Sequence, residues 1–270
     1  MAEIYKVSTL NINGSSVGGR MGMLNDFIHK QEIDIIVLQE VTHTDFEMIR
    51  GYTAHLNIGI NKRGTAILTR EQISLTNKTR LPPGRGMAAN YQGIWLVYLY
   101  APSGTANRQE REDFYKVELV YLLRSLPSTM IVGGDFSCVL SQAECTGNFN
   151  YSKALDKLVR GLELTDVWAP AQSRAIYTHY TPHGAARLDR LYDSPDLRNR
   201  KFGVETVLAA FTDHLAVCLH ITPDAPLLRR GWGRWKMIVK LMEEAPLRGQ
   251  LQKDWSKWEN QKKKYPNSVT

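Results

Sequence analysis

Cysteine is scarce in this 270-residue chain: Cys138, Cys145 and Cys218 are the only three. An odd count with no CxxC spacing excludes a disulfide framework and the common zinc motifs, and reads as buried thiols in a reducing compartment. Long apolar runs are also missing. None approaches the roughly 20 residues a membrane helix needs, and with a mean hydropathy of -0.32 the chain reads as globular, without a membrane partner. A strand-like pattern begins at Ile4 with no basic, apolar leader before it, so no secretory or transit segment is expected. Internal repeats are absent, which excludes a solenoid. The body of the chain lacks excess charge as well. The net charge is +7, yet residues 224–270 hold eleven Lys+Arg against five Asp+Glu, and residues 1–223 hold 23 against 22. A generally basic surface for nucleic acid is therefore not a property of the body.

Strand-like and helix-like patterns alternate along residues 1–223. Residues 4–10, 33–38, 65–68, 94–99, 130–132, 204–209 and 215–221 read as strands, several of them continuous apolar runs typical of doubly covered strands. Residues 20–30, 109–126 and 153–162 carry apolar side chains at helical spacing. The fold class is therefore α/β and layered. After Pro223 the character changes. Trp232, Trp235, Trp255 and Trp258 are four of the six tryptophans, and they stand among Arg229-Arg230 and Lys262-Lys263-Lys264. Leu247, Leu251, Trp255 and Trp258 share one helical face that Pro246 could begin. Residues 224–270 read as a basic, Trp-rich linker to a further domain; a nucleic-acid arm and a membrane-surface helix are the alternatives.

Four acidic or acid–histidine clusters stand beside the apolar runs: Leu38-Gln39-Glu40, Gly133-Gly134-Asp135-Phe136, Arg187-Leu188-Asp189-Arg190 and Thr212-Asp213-His214. Carboxylates at strand ends are costly unless they face solvent, a metal or one another. Asn11, Glu40, Tyr100 and Asp135 all fall at the C-terminal ends of expected strands, where open α/β sheets place their sites. Asp213-His214 precedes its strand and would reach the same edge from an antiparallel neighbour.

These residues carry a resemblance. The segments TLNING (9–14), LQE (38–40), Tyr100-Ala101-Pro102, GGDF (133–136), RLD (187–189) and TDH (212–214) follow the order of the exonuclease–endonuclease–phosphatase superfamily. Within it, residues 4–222 resemble the apurinic/apyrimidinic-like endonuclease domain of non-long-terminal-repeat retrotransposons of the Tx1 and long-interspersed-element group. The resemblance implies a four-layer sandwich of two mixed sheets between helices. It also implies a Mg²⁺-dependent endonuclease, with Mn²⁺ as a possible substitute, that nicks one strand of double-stranded DNA in the nucleus. The 3′-hydroxyl so made would prime reverse transcription by a reverse transcriptase domain of the same polyprotein. Trp235-Lys236-Met237 resembles the segment leading toward that domain, and the excised endonuclease is expected to be a monomer.

Roles follow the same resemblance. Glu40 is expected to ligate the metal, with Asn11 and Asn13 supporting its shell. Asp135 would position or deprotonate the attacking water. Asp189 would fix the tautomer and charge of His214 beside the phosphate, Asp213 would hold His214 or the metal water, and Tyr100 would donate to the phosphate. Thr178, Tyr180, His183, Arg187 and Arg190 are expected to touch DNA, with specificity in the loop 180–186, where Pro182 and Gly184 enforce a turn. One position departs from the family pattern. Ser137 stands where the family has an asparagine whose amide stabilises charge on phosphorus, so weak nicking is expected. The rival readings are an abasic-site repair endonuclease, a phosphodiesterase for another substrate, and a DNA-binding module with a weakened site.

Overall fold

The computed structural model describes residues 4–14, 19–42, 46, 49–59, 64–168, 177–223, 252, 253 and 255. Contacts divide the chain into two units, residues 1–227 and 228–270. Of the second, Gln252, Lys253 and Trp255 are helical and exposed; the other tail residues singled out above lie outside the described residues.

In the first unit the strands are β1 (Tyr5–Asn11), β2 (Ile35–Val41), β3 (Tyr52–Ile58), β4 (Gly64–Arg70), β5 (Thr76–Arg80), β6 (Gly86–Tyr91), β7 (Ile94–Tyr100) and β8 (Met130–Asp135). They continue with β9 (Thr165–Asp166), β10 (His179–Thr181), β11 (Gly184–Ala186), β12 (Asp189–Asp193), β13 (Lys201–Leu208) and β14 (Leu215–Ile221). The helices are α1 (Arg20–Lys30), α2 (Arg108–Phe114), α3 (Val120–Ser125) and α4 (Lys153–Gly161). A π-helical turn at Tyr115–Leu119 joins α2 to α3, so the single helix expected over 109–126 is interrupted in its middle.

Two six-stranded mixed sheets form, ordered β13-β14-β1-β2-β4-β3 and β5-β6-β7-β8-β12-β9, with β10-β11 as a separate hairpin. Their inner faces share one core of β-branched and other apolar side chains, including Val7, Val37, Ile67, Leu96, Ile131, Leu191 and Val217. The outer face of the first sheet packs on Leu24, Phe27 and Ile28 of α1. The outer face of the second packs on Phe114, Leu119, Leu123, Leu155 and Leu158 of the helical segments. Helix, sheet, sheet, helix is the four-layer sandwich expected. The cysteines are free and buried, as expected, and among the described residues no helix is long and apolar enough to cross a membrane.

Two parallel pairs aim the site. β1 pairs with β2 and β7 with β8 in parallel, so the C-terminal ends of all four lie at one edge. Gly134 makes the second pair possible: its φ is +141°, and a Cβ there would come within 1.9 Å of the Leu99 carbonyl oxygen.

Candidate active site

Register places three polar residues in a row. Tyr100 on β7 stands beside Asp135 on β8, which stands beside Asp189 on β12. The opposed sheet supplies Asn11, the last residue of β1, and Glu40 near the end of β2. A bulge between Gln39 and Val41 gives Glu40 a φ of +56°. A bulge bends the strand and re-aims its extra residue, here toward the row.

Asn11 is the bridge between sheets. Its Nδ2 donates to Glu40 Oε1 at 3.2 Å and to Asp135 Oδ2 at 2.9 Å. Its Oδ1 accepts from the Asn13 backbone N–H at 2.9 Å. Tyr100 donates its hydroxyl to Glu40 Oε1 at 3.0 Å. Burial, helped by the Glu40 and Asp135 charges, pushes that phenol far above its ordinary range, so it stays a donor.

His214 precedes β14, antiparallel to β1, and therefore arrives at the same edge. Its Nδ1 lies 2.8 Å from Asp189 Oδ2. Burial alone would depress its pKa, but Asp189, with Asp135 and Asp213, raises it to about 9. Asp135 is raised too, first by burial and then by the Asp189 charge, against His214, Asn11 and the Ser137 N–H. Thr212 fixes the approach: its hydroxyl donates to the Asn11 carbonyl at 2.8 Å and accepts the His214 N–H at 3.3 Å.

Asp189 Oδ1 is buried with no hydrogen-bond partner among the described residues. An orphaned carboxylate oxygen beside the Asp135 carboxylate is what a hard divalent cation satisfies. Asp135, Asp189 and His214 each present a ligand atom within 4.8 Å of the others, and Asn11 sets Glu40 beside Asp135.

The expected DNA-contacting group divides. Tyr180 and His183 are exposed on the β10-β11 hairpin, His183 at its two-residue tip. Thr178, Arg187 and Arg190 are corrections. Thr178 is fully buried, and its Oγ1 accepts the N–H groups of Leu188 and Asp189 at 3.0 Å each, positioning Asp189. Arg190 is fully buried and binds Glu144 Oε2 at 2.8 Å and the Cys138 carbonyl at 2.9 Å. Arg187 is buried against Asp166 Oδ2 at 2.6 Å and Glu144 Oε1 at 3.4 Å. Guanidinium groups spent on half-buried carboxylates are not free to grip phosphates. They anchor the base of the hairpin to the 141–147 segment, where the Thr146 N–H donates to the Ala185 carbonyl and the Arg187 N–H to that of Glu144.

Asn13, expected to support the metal shell, is held by Asp213. Its left-handed backbone (φ +48°) turns the side chain to Asp213, whose Oδ1 accepts its Nδ2 at 3.1 Å. Ser137 also has a left-handed backbone, with φ of +49°. Its hydroxyl lies 3.3 Å from both the Ala101 carbonyl and Asp135 Oδ1, so it points back into its own turn. Sequence reasoning missed His179, whose ring packs 4.4 Å from that of His214. It also missed the Glu144–Asp166 anchor. Neither has a local signal, because each exists only through pairing of distant strands.

Comparison with known proteins places this geometry. A family model described as endonuclease/exonuclease/phosphatase family matches residues 8–214. The Xenopus laevis protein described as transposon TX1 uncharacterized 149 kDa protein is 24% identical over 275 residues, 93% of this chain. The chain spans only 20% of that relative. Among solved structures, an AP endonuclease from Archaeoglobus fulgidus superposes with a TM-score of 0.68 at 18% identity, over 80% of this chain and 99% of that one. The 3′-5′ exonuclease NExo from Neisseria meningitidis superposes with a TM-score of 0.69 at 20% identity, over the same shares. At such identities these structures establish the fold alone.

Proposed function

Because this chain belongs to the endonuclease/exonuclease/phosphatase family, we propose that it is a Mg²⁺-dependent DNA endonuclease that nicks one strand to leave a 3′-hydroxyl. The observation that carries this reading is the single hydrogen-bonded assembly Tyr100–Glu40–Asn11–Asp135, with the Asp189–His214 pair in register beside it. Similarity to a transposon protein supports the further reading that the 3′-hydroxyl primes target-site reverse transcription. A reverse transcriptase domain of a longer polyprotein and a nuclear site of action belong to that proposal.

Glu40, set beside Asp135 by Asn11, would hold Mg²⁺. When bound, the ion supplies Lewis-acid stabilisation of charge on the phosphate. Asp135 accepts the proton of the attacking water; its raised pKa makes it a better base than an ordinary aspartate. His214, kept cationic to about 9, sits against the phosphate and offsets its growing charge. Tyr100 donates to a phosphate oxygen, and Asn11 holds Glu40 and Asp135 in fixed relation. The exposed Tyr180 and His183 meet the duplex. Ser137, with its hydroxyl turned inward, favours slow chemistry.

The test is relaxation of supercoiled plasmid with Mg²⁺, with EDTA, and with Glu40→Ala or His214→Ala. Metal-dependent open circles abolished by both substitutions support the reading. No nicking by the chain or by Ser137→Asn would defeat it.

A further inference from the structure

His179 opens β10 and stands directly opposite His214 in an isolated antiparallel bridge. The flanking bonds run from the Tyr180 N–H to the Asp213 carbonyl (3.1 Å) and from the Leu215 N–H to the Thr178 carbonyl (2.7 Å). The two histidines are thus a non-hydrogen-bonded pair, the class in which opposed side chains come closest. Their ring centroids are 4.4 Å apart at 36°.

The free edges of these groups converge. Asp189 holds His214 at Nδ1, which leaves Nε2 to face away from it. Asn13 holds Asp213 at Oδ1, which leaves Oδ2 at 3.4 Å from His179 Nε2. That spacing exceeds an ordinary N–H···O bond. It equals the edge of a tetrahedron with metal–ligand bonds of about 2.1 Å, roughly 3.4 Å. One ligand atom from each of His179, Asp213 and His214 lies within 4.8 Å of the others. The side chains of His179 and Asp213 are 23% and 37% exposed, so an ion has a way in.

We propose that His179, Asp213 and His214 form a site for a transition-metal ion of the zinc class, and that its occupancy shuts off the nuclease by taking His214 Nε2. Two imidazole nitrogens and one carboxylate oxygen select Zn²⁺ or Co²⁺ over Mg²⁺, which prefers oxygen ligands such as Glu40. Asp189 behind His214 is the carboxylate partner that metal-bound histidines keep, fixing the tautomer and ring orientation. Hydrolysis needs His214 free and cationic at the phosphate, so the ion and the reaction compete for one nitrogen. The shut-off rests on the nuclease reading above; the binding site does not.

The experiment titrates the full chain, stripped with EDTA and desalted, with Co²⁺ in the absence of Mg²⁺ and DNA. The expected result is one Co²⁺ per chain with the absorption bands of a four-coordinate ion, displaced by Zn²⁺. Affinity should fall by about tenfold or more in His179→Phe, which keeps a ring stacked on His214, and in His179→Gln. Unchanged melting temperatures would establish that both variants fold. In Mg²⁺-supported plasmid nicking, Zn²⁺ should inhibit the chain, and both variants should need about tenfold more of it. Equal Co²⁺ affinity in all three proteins would overturn the site. Weakened Co²⁺ binding with unshifted Zn²⁺ inhibition would overturn the shut-off. Co²⁺ binding that depends on His179, without nicking under any condition, would support the site and defeat the nuclease reading.

Discussion

His214 and Asp189 meet across the two sheets: the imidazole Nδ1 lies 2.8 Å from the carboxylate Oδ2, and both side chains are buried. One residue precedes β14 of the first sheet and the other begins β12 of the second, so the contact exists only when the sandwich is closed. Asp189→Asn removes the main charge that raises His214. The ring, read by NMR titration, should then titrate well below the value of about 9, and nicking should fall on the order of 10²–10⁴-fold. A ring that still titrates near 9 would remove Asp189 from its assigned place.

Activity should have two pH limbs. It rises as Asp135 loses its proton, at a pH above that of an ordinary aspartate because burial and Asp189 raise it. It falls again as His214 loses its proton at about 9. Stability carries the same signature. His214 is raised from 6.5 on folding, so its contribution is complete below 6.5 and is lost as pH rises through about 9. The loss is on the order of 2–3 kcal/mol. Urea unfolding of the chain should weaken over that window, and His214→Gln should abolish the weakening.

Much of the site was legible because its residues end apolar runs. Asn11, Tyr100 and Asp135 close β1, β7 and β8, and α1 and β14 have the bounds that their apolar spacing indicates. The strands missed are those without an unbroken apolar run, among them β3, β9 and β12, which reads Asp-Arg-Leu-Tyr-Asp although it is buried throughout. β5 reads Thr-Asn-Lys-Thr-Arg and is exposed throughout, β6 is built largely of small residues, and β10 and β11 have three residues each. Arg187 and Arg190 misled for a different reason. An arginine flanking a loop reads the same whether it faces DNA or a half-buried acid, and Glu144 and Asp166 are 43 and 21 residues away from Arg187.

Ser137→Asn should speed the reaction. The backbone at 137 already has φ of +49°, a conformation that asparagine adopts more readily than serine. The longer amide would extend a donor beyond the turn in which the serine hydroxyl is held. A gain of about 10²–10³-fold in single-turnover nicking is expected, with no loss of melting temperature. An unchanged rate would mean that the missing amide is not what limits this enzyme.

Arg190 and the C-terminal segment should separate cleanly in two measurements. Arg190→Ala strips the half-buried Glu144 of its 2.8 Å cation and empties a fully buried side-chain position, so unfolding free energy should drop on the order of 2–4 kcal/mol. The salt dependence of DNA binding should not change in that variant under conditions where it remains folded, because the guanidinium never reaches solvent. Deleting residues 224–270 removes eleven basic residues and leaves a body of 23 basic and 22 acidic ones. Every phosphate that the tail no longer neutralises lowers the slope of log K against log salt by about 0.9, so the truncated chain should bind more weakly and with a flatter slope. A slope unchanged by the deletion but flattened by Arg190→Ala would reverse the assignment, making the buried arginine the DNA contact.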